Sequence, residues 1–580
     1  MRHPILAMLL CTMLCAILPA TPASATTLHV PSQYPLIADA MVFASRGDTV
    51  LVACGTYNEG NILMKSGVTL IGESGEVGCV TISGQNTSRV IECVDCDDTT
   101  AIIGIRFVNG FVTSPGGYGG GISCSNSSPR LENLEFIFCQ VRAADGQGGG
   151  GLGCLNSSPT LTNVEFHGCV LQDATAHGGG AMVTLGASYP TLSNVTFDMN
   201  WVTDSWGGAL SIEGYSGGVI RMDDVTFTDN SSSTVGGGGA IHVSGTPTTI
   251  DGALFHDNWA SHGGAIHYDT CRPCTLRNVT FTENTAAYGQ GGGLLCEVSP
   301  AGTLVLTDAV FLDNTAATTG GGMACNATNT PTITRATFAR NSAVDGGGLS
   351  IAGSSVVKVT SSTFYDNAAS NTGGGIYLDG SSSLDVDTSI LAYSADGEAI
   401  APWGDIPPAV SCTDIYGNAG GDWIGMLAPL LGTAGNISEP PLFCEMLNII
   451  LTLHEDSPCL PGASACGVLM GAHGLGCAPS TTVPDDMPVL VVHNSAPNPF
   501  RRSTSLSYEL PVAERVDVRV FDVSGRLVRT LVDSERQTAG LRSLSWNGRD
   551  DSGRSVASGV YFFRVNIGGE SMERRSVLIR

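Results

Sequence analysis

The chain has 580 residues, 75 of them Gly, and a formal net charge of −26. From Asp485 onward, 14 Arg against 12 Asp and Glu give a balance of +2, which leaves −28 for the residues before it. Such an acidic surface does not attract nucleic acid, anionic lipid or polyanionic glycans without bridging cations, so we exclude nucleic acid as a partner.

Residues 1–25 have the features of a secretory signal peptide. Arg2 precedes an apolar run from Ile5 to Leu18, and the small residues Ala23-Ser24-Ala25 offer a cleavage site before Thr26. No later segment reaches the roughly 18 to 20 continuous apolar residues that a membrane span requires. The sequence predicts an exported protein with no transmembrane segment after signal cleavage.

The next segment predicts a helix and then strands. Ser32 to Ser45 has the pattern of a short amphipathic helix, which would cover the open end of a stacked structure. Asp48 to Val52 and Val68 to Gly72 follow as the first strands. The apolar side of the helix consists of Leu36, Ile37, Ala40, Met41 and Phe43.

The central part repeats one pattern: an apolar stretch ending in Phe, usually Asn three residues later, and then a Gly run. Successive Phe residues are 26 to 31 positions apart, a period that is typical of stacked repeats. Polar and apolar residues alternate within each unit, which favours short strands. The Phe residues are 107, 136, 166, 197, 227, 255, 281, 311, 338 and 364, and the Asn residues are 200, 230, 258, 284, 314, 341 and 367.

Each unit is too short to bury its own apolar face, but coils stacked about 4.8 Å apart pair every strand with its equivalents above and below. We therefore predict an all-β parallel β-helix with a Phe stack inside, an Asn stack at one corner and Gly at the other. The Gly runs do not have the pattern of phosphate-binding loops, because none is followed by Gly-Lys-Ser/Thr.

Two family resemblances support this fold. A strand, then Gly55-Thr56-Tyr57, then a second strand follow the predicted helix. This order resembles the start of pectin-lyase-like right-handed β-helix proteins. Phe255-His256-Asp257-Asn258 followed by Gly263-Gly264-Ala265-Ile266 resembles the polymorphic outer-membrane protein repeat, over about residues 100–390. The pattern departs from that repeat at Cys139 and Cys169, which replace the Asn.

Of 19 cysteines, 17 remain after the signal peptide, a number consistent with an oxidising destination. Adjacent coils bring three pairs within disulfide range, and either disulfides or buried thiols fit them. Cys93 with Cys96 and Cys271 with Cys274 have the spacing of half a zinc site, but disulfides fit an exported protein better. The three pairs are Cys124 with Cys154, Cys139 with Cys169, and Cys296 with Cys325.

The predicted domains are the signal peptide at 1–25, the β-helix with its capping helix at 26–390, a cysteine-rich end and cap at 391–477, a linker at 478–489 and a C-terminal domain at 490–580. Long alternating strands in the last domain predict a small sandwich with Trp546 and Tyr561 in its core.

The C-terminal domain carries a resemblance of its own. Its sequence resembles the sorting domains of type IX secretion cargo and the Ig-like domain of flagellar hook-capping proteins. The resemblance implies recognition by secretion machinery through residues 490–580 and a bacterial cell-surface or outer-membrane location, and the alternative is an Ig-like module without a sorting role. It is carried by Pro497 to Phe500, Tyr508 to Pro511, Phe521 to Arg526, Trp546 to Gly548 and Ser558 to Tyr561.

The sequence assigns no catalytic, cofactor-binding or metal-binding residue. The adjacent acidic pairs Asp97-Asp98 and Asp223-Asp224 lack a third catalytic group, so we interpret both as solvated turns. Ca²⁺ is possible at corners such as Asp229-Asn230 and Asp313-Asn314, but the spacing of calcium-binding β-rolls is absent. Four histidines could bind metal, and we interpret them as polar positions on exposed strands: His177, His242, His262 and His267.

These patterns favour an exported, non-catalytic cell-surface β-helix protein that acts in adhesion or in binding of extracellular polysaccharide or surface protein. The alternative is a secreted polysaccharide lyase or glycoside hydrolase, which would require carboxylates from adjacent coils to converge in one groove. A third possibility, a structural surface component, differs from the first only in having no soluble ligand.

Overall fold

The structure is a computed structural model. It describes residues 25–580 apart from 143–145, 173–177, 215–216, 233–235, 271, 298–302, 327–329, 446–449, 478–490, 493–499, 501–502, 511–513, 523–525, 538–539, 558, 568–569 and 579–580. The signal peptide and linker predictions therefore lie outside the described residues. The chain divides into two compact units, Met1–Ala478 and Pro479–Arg580.

The first unit is a parallel β-helix whose longest sheet has 21 strands. Its long strands bend at a residue with positive φ, such as Asn133 (52°) and Asn163 (55°), so one strand serves two faces of the coil. The strands are Thr27–Val30, Thr49–Val52, Gly55–Tyr57, Thr69–Gly72, Val80–Ser83, Ala101–Val108, Arg130–Ile137, Thr160–His167, Thr191–Asp198, Ile220–Thr228, Thr248–His256, Cys274–Thr282, Leu304–Leu312, Thr332–Thr334, Thr337–Ala339, Val356–Thr360, Thr363–Tyr365, Ser383–Asp387, Ile390–Ala392, Ala409–Ser411 and Asp414–Tyr416.

A 13-stranded parallel sheet forms another face, which we call the short-strand face. Its strands are Ile62–Met64, Ile91–Val94, Ile122–Ser125, Leu152–Leu155, Met182–Gly186, Leu210–Gly214, Ile241–Ser244, Ile266–Thr270, Leu294–Cys296, Met323–Asn326, Leu349–Ala352, Ile376–Leu378 and Ile400–Pro402. Two further sheets of four and five strands complete the coils: Phe111–Val112, Gln140–Arg142, Val170–Gln172 and Trp201–Val202, then Trp259–Ala260, Thr285–Ala286, Thr315–Ala316, Ser342–Asp345 and Ala368–Thr372.

The predicted Phe stack and Asn stack are both confirmed. The ten Phe rings are buried, and neighbouring ring centroids lie 4.6 to 5.2 Å apart. The seven Asn side chains are also buried. The left-handed residue at this corner is the one before each Asn, for example Asp229 (φ 54°) before Asn230. The Asn is therefore free to turn its amide inward.

The capping helix spans Ile37–Phe43 and is shorter than predicted. The Glu59 carboxylate accepts the N–H groups of Ile37 and Ala38 at 3.0 and 3.1 Å, which satisfies donors at the helix start. The predicted apolar side is wrong at its edges, because Leu36 and Phe43 are 46% and 66% exposed. The sequence did not predict the strand Thr27–Val30, which precedes the capping helix. This strand pairs with Thr49–Val52, the first of the predicted strands.

Most of the cysteines that the sequence analysis paired are thiols. Cys124 pairs in register with Cys154 and with Cys93, and all three are buried and free. The predicted Cys93–Cys96 disulfide is wrong: both side chains are buried in the core as thiols, and the Cys96 thiol, which lies beyond the left-handed Asp95, contacts the Met64 carbonyl. The other predicted pairs, Cys139 with Cys169 and Cys296 with Cys325, are also buried thiols. Cys274 is disulfide-bonded, and Cys271 lies outside the described residues.

Coiling continues beyond the point where the sequence period fades, as far as Asp414–Tyr416. A 3₁₀ helix at Gly425–Leu430 follows. A small sheet of Phe443–Glu445, Ile450–His454 and Leu475–Cys477 then packs into the cap. Disulfides join Cys412 to Cys466 and Cys444 to Cys477, and a third, near the N-terminus, joins Cys54 to Cys79.

The second unit has two antiparallel sheets around its own core. Trp546 and Tyr561 are buried with ring centroids 4.9 Å apart, which confirms their predicted place. One sheet has the order Val491–Val492, Thr504–Leu510, Gly540–Trp546, and the other Leu527–Gln537, Glu514–Asp522, Gly559–Ile567, Glu570–Leu578. Within the described part of the chain, no helix has both the length and the apolar character needed to cross a membrane.

Candidate functional site

The two acidic pairs that the sequence singled out are surface carboxylates. Asp97 accepts the Thr99 hydroxyl at 2.6 Å and the Arg46 guanidinium at 2.5 Å, and these bonds, the Thr99 one first, hold the pKa of Asp97 well below its ordinary value. Asp223 and Asp224 are exposed at a strand bend. Both pairs are solvated as predicted, but Asp223 and Asp224 lie within the strand Ile220–Thr228, so the prediction of a turn there is wrong.

The predicted exposure of His242 and His267 is wrong. Both side chains lie on the short-strand face at paired positions, and the residues are 0% and 2% exposed. The Trp206 ring covers them, with centroids 4.9 Å from His242 and 5.4 Å from His267. His262 is exposed, and His177 lies outside the described residues.

Each buried imidazole contacts a carboxylate. His242 Nδ1 lies 3.1 Å from Glu213 Oε1, and His267 Nε2 lies 2.9 Å from Glu297 Oε2. Burial lowers the pKa of His267, which favours the neutral ring. The indole of Trp206 covers the two rings, the contacts with Glu213 and Glu297 link neighbouring coils, and both carboxylates are partly exposed.

A different region does bring carboxylates from adjacent coils together. Glu135 and Glu165 are directly paired on neighbouring strands of the long sheet, and both line a groove of about 450 Å³. We call it the acidic groove. Arg106, on the preceding coil, donates from Nε to Glu135 Oε2 at 2.5 Å. The groove is lined by Glu76, Val77, Arg106, Asn133, Leu134, Glu135, Asn163, Glu165, Asn194 and Thr196.

The two carboxyl groups of the acidic groove differ in environment. Burial raises the pKa of Glu165, and the nearby negative charges of Glu135 and Asp198 raise it further. Glu135 instead forms an ion pair with Arg106, and its side chain is 17% exposed. A carboxyl group that is easily protonated therefore lies beside one whose negative charge is balanced.

One wall of the acidic groove is a row of asparagine amides. Asn194 Nδ2 donates to Asn163 Oδ1 at 2.8 Å, and Asn163 Nδ2 donates to Asn133 Oδ1 at 2.9 Å. The row follows the coil axis over three consecutive coils, each of which adds one amide to the same wall. Amides and carboxylates both form hydrogen bonds with hydroxyl groups, and this wall repeats them along one direction.

A histidine–carboxylate pair lies beside the groove. His167 lies on the same strand as Glu165. Its Nδ1 is 2.8 Å from Oδ2 of Asp198, which lies on the following strand. This contact is the main reason that the pKa of His167 is raised. The His167 side chain is 35% exposed, so the ring is open to solvent. Groups that can donate and accept protons thus lie on consecutive coils, in the groove and beside it.

Sequence reasoning did not find the acidic groove, because its carboxylates are 30 residues apart and neither belongs to the repeated Phe, Asn and Gly pattern. The signal that was available is positional: Arg106, Glu135 and Glu165 each stand one residue before a repeat Phe. Aligning the repeats on Phe and reading the outward-facing columns would place them side by side.

Among the described residues, the structure brings one set of three potential metal ligands together. Cys54, Glu73 and Cys79 lie close together, but the two thiols form a disulfide and do not provide thiolate ligands. At the corners proposed for Ca²⁺, Asn230 and Asn314 turn inward into the Asn stack and cannot join the neighbouring aspartates at the surface.

Comparison with solved structures gives remote likenesses. A surface component of the type IX secretion system of Porphyromonas gingivalis, PorZ, is 26% identical over 16% of this chain and 11% of its own length, with a TM-score of 0.12. The PL6 family alginate lyase AlyGC is 11% identical, with 68% and 77% coverage and a TM-score of 0.29. Tailspike protein 3 of bacteriophage CBA120 is 12% identical, with 66% and 59% coverage and a TM-score of 0.33.

The chain thus spans about a tenth of the first of these proteins, and likenesses this remote support no inference about activity. A comparison with curated proteins finds no match.

Family models match both units. The FlgD Ig-like domain matches residues 501–570. The right-handed β-helix region matches 89–268 and 212–397, which together cover more than half of the chain. With the stacked parallel coils and their internal Phe and Asn rows, this match shows that the protein belongs to the right-handed β-helix family.

Proposed function

We propose that the protein is exported to the cell surface and that its β-helix binds a neutral extracellular polysaccharide along the acidic groove without cleaving it. The observation that carries this proposal is the row of amides at Asn133, Asn163 and Asn194 beside Glu135 and Glu165. A polymer of repeated hydroxyl-bearing units suits a wall that repeats hydrogen-bonding groups coil by coil. The acidic charge disfavours a polyanionic glycan.

One observation favours a second candidate, a glycoside hydrolase. Paired-carboxylate hydrolysis needs an acid that keeps its proton near neutral pH and an ionised partner about 5 to 9 Å away. Burial shifts the pKa of Glu165 upward, in the direction that an acid needs, and Glu135 forms an ion pair with Arg106. Glu135 and Glu165 are paired in register on adjacent coils, and the coil spacing of about 4.8 Å lies just below the lower limit of that range.

The test uses the mature full-length chain on immobilised neutral plant glycans, mucin, pectate and alginate, and scores retention and released sugar together. The variants are Glu135→Gln and Glu165→Gln, with Glu283→Gln as a matched change at an exposed glutamate outside the groove. Retention on a neutral glycan that falls at least tenfold in the groove variants, with no released sugar, supports binding.

Sugar release by the wild type that is lost in Glu165→Gln establishes the hydrolase instead. If all three variants are retained as strongly as the wild type, the acidic groove is not the binding site. Retention on pectate and alginate alone also overturns the proposal.

For export, we propose that residues 1–25 are removed as a signal peptide and that residues 490–580 are the address read by a type IX secretion system, joined by a linker at 478–489. The separate core of the second unit and its +2 charge, against −28 before Asp485, support an independent role for this tail. In a host with that system, the full chain should reach the cell surface and a chain ending at 489 should stay in the periplasm. Equal surface display of both would leave the tail as an Ig-like module without a sorting role.

A further inference from the structure

A second groove lies near the C-terminal end of the short-strand face, away from the acidic groove. It has a volume of about 340 Å³, and two aromatic side chains and several aliphatic ones form it. We call it the aromatic groove. The lining includes Tyr377, Glu398, Pro402, Trp403, Ile424 and Met426.

Trp403 dominates the surface of this groove. It is 69% exposed, although its backbone N–H is fixed to the Leu378 carbonyl at 2.7 Å. Ile424 beside it is 46% exposed. Tyr377 stands on the adjacent strand, paired with Ala401. An indole presented to solvent on an anchored backbone, next to other uncovered apolar groups, is typical of a binding surface.

The charges around the aromatic groove are all negative. Glu398 is part of the lining, and one of its oxygens, Oε2, accepts the Gly373 N–H at 2.9 Å, which fixes the carboxylate in place. Burial and then the charges of Asp345 and Asp379 raise the pKa of Tyr377. The lining residues include no Lys or Arg. The electrostatic potential over both aromatic rings therefore favours a cation.

We propose that the aromatic groove binds a quaternary ammonium group of the choline type, with the cation over the Trp403 indole and near Tyr377, and with Glu398 balancing its charge. Aromatic faces attract cations, and Trp does so most strongly. The proposal is independent of polysaccharide binding in the acidic groove.

The apolar lining selects the kind of cation. A primary ammonium carries three N–H donors that need acceptors, and burying them against Pro402, Ile424 and Met426 would leave donors unpaired. Methyl groups need no such partners and pack against the same side chains. The surrounding carboxylates would also repel an attached phosphate, so free choline should bind more tightly than phosphocholine.

The experiment titrates the mature full-length protein with choline chloride at constant ionic strength, using isothermal calorimetry and tryptophan fluorescence. The matched control ligand is 3,3-dimethylbutan-1-ol, which has the shape of choline without its charge. We expect saturable binding of choline and about tenfold weaker binding of the alcohol. Phosphocholine tests whether the groove prefers free choline or choline that carries a phosphate. We expect phosphocholine to bind more weakly than choline.

Three variants locate the site. Trp403→Ala should abolish binding, Trp403→Phe should keep part of it, and Glu398→Gln should weaken choline binding several-fold while leaving the weak binding of the alcohol unchanged. Trp259→Phe, on another sheet, is the control and should bind like the wild type. Because Trp403 is mostly exposed, its variants should unfold at the wild-type temperature. Equal binding of choline and the alcohol, or choline binding that survives Trp403→Ala, would overturn the proposal, as would the absence of saturable binding.

Discussion

Asn258 and Asn284, on adjacent coils, share one amide oxygen: Oδ1 of Asn284 accepts both the side-chain amide of Asn258 at 2.9 Å and its backbone N–H at 3.1 Å. The second amide hydrogen of Asn258 goes to the Phe227 carbonyl at 3.0 Å. The same pattern recurs from Asn200 to Asn367. Each Asn side chain thus satisfies a buried backbone N–H and a buried carbonyl of the preceding coil, and its amide also bonds to the Asn side chain of the next coil.

Replacing Asn258 by Ala should destabilise the β-helix strongly. The change removes the acceptor of the Asn230 backbone N–H and the donor to Phe227, and it leaves these buried groups without partners. Unsatisfied buried groups cost about 1 to 3 kcal/mol each and do not add fully, so we expect a loss on the order of 3 kcal/mol in the free energy of unfolding. Guanidinium denaturation followed by circular dichroism measures it.

The matched control is Asn371→Ala. Asn371 is exposed and donates to Asp345 at the surface. Its loss should change stability by no more than about 0.5 kcal/mol. Similar losses for both variants would show that the Asn stack does not stabilise the coil in the way described.

Cys169 occupies the position that Asn holds in later coils, and its replacement by Asn should extend the stack. The Cys169 backbone N–H already donates to Asn200 Oδ1 at 2.9 Å, and its thiol lies 3.7 Å from the Phe136 carbonyl that an amide would reach. We expect Cys169→Asn to raise the free energy of unfolding by about 1 kcal/mol, since the new amide finds partners on both sides.

Cys296→Asn is the contrasting variant. Cys296 is equally buried but stands in the short-strand face opposite Cys325, where no stack of amides continues. The same substitution there should cost about 2 kcal/mol, because a polar amide enters an apolar interior. If Cys169→Asn also destabilises the protein, the corner at that coil differs from those with Asn.

The rows that build the fold were predictable because each coil places the same residue at the same point of its cross-section. Phe107 and Phe364 are 257 positions apart in sequence and still belong to one column, so the period alone identifies the core. The capping helix was predictable from its apolar pattern, but its edges were not, since Leu36 and Phe43 remain outside the packed end.

The candidate sites were harder to predict because they depend on residues outside the repeat. The burial of His242 requires Trp206, which arrives from the preceding coil through a loop with no sequence signature. Glu135 and Glu165 become neighbours only through the strand register. Trp403 lies where the period has faded, so no column in the sequence marks its position.

Asp414, in the C-terminal part of the β-helix, should make the protein less stable as the pH rises. Burial raises its pKa from 3.8 to about 7. Between about pH 4 and pH 7 the folded protein keeps a proton that the unfolded chain has lost, so stability falls across this window and the full penalty applies above it. Asp414→Asn removes the titration and keeps the bond from the Glu439 N–H.

We expect Asp414→Asn to gain stability relative to the wild type between pH 4 and pH 7, by up to about 4 kcal/mol. Urea denaturation at half-unit pH steps measures the difference. Asp405→Asn, which removes an exposed carboxylate, is the control and should follow the wild-type pH profile. A constant difference between Asp414→Asn and the wild type at all pH values would contradict the assignment.

His167 and His267 should contribute to stability with opposite pH dependence. The contact with Asp198 raises the pKa of His167, so its contribution is present below about pH 6.5 and is lost as the pH rises through the raised value. Burial lowers the pKa of His267, so its contribution is present above about pH 6.5 and is lost as the pH falls below it.

His167→Gln should therefore cost more at pH 5.5 than at pH 8, by on the order of 0.5 kcal/mol because the ring is partly exposed. His267→Gln should cost more at pH 8 than at pH 5.5, by about 1 kcal/mol. Denaturant midpoints at the two pH values, each taken relative to the wild type, cancel the titration of all other groups. If the cost of both variants changes in the same direction between pH 5.5 and pH 8, the Asp198 contact and the Trp206 ring do not set the protonation of these two histidines.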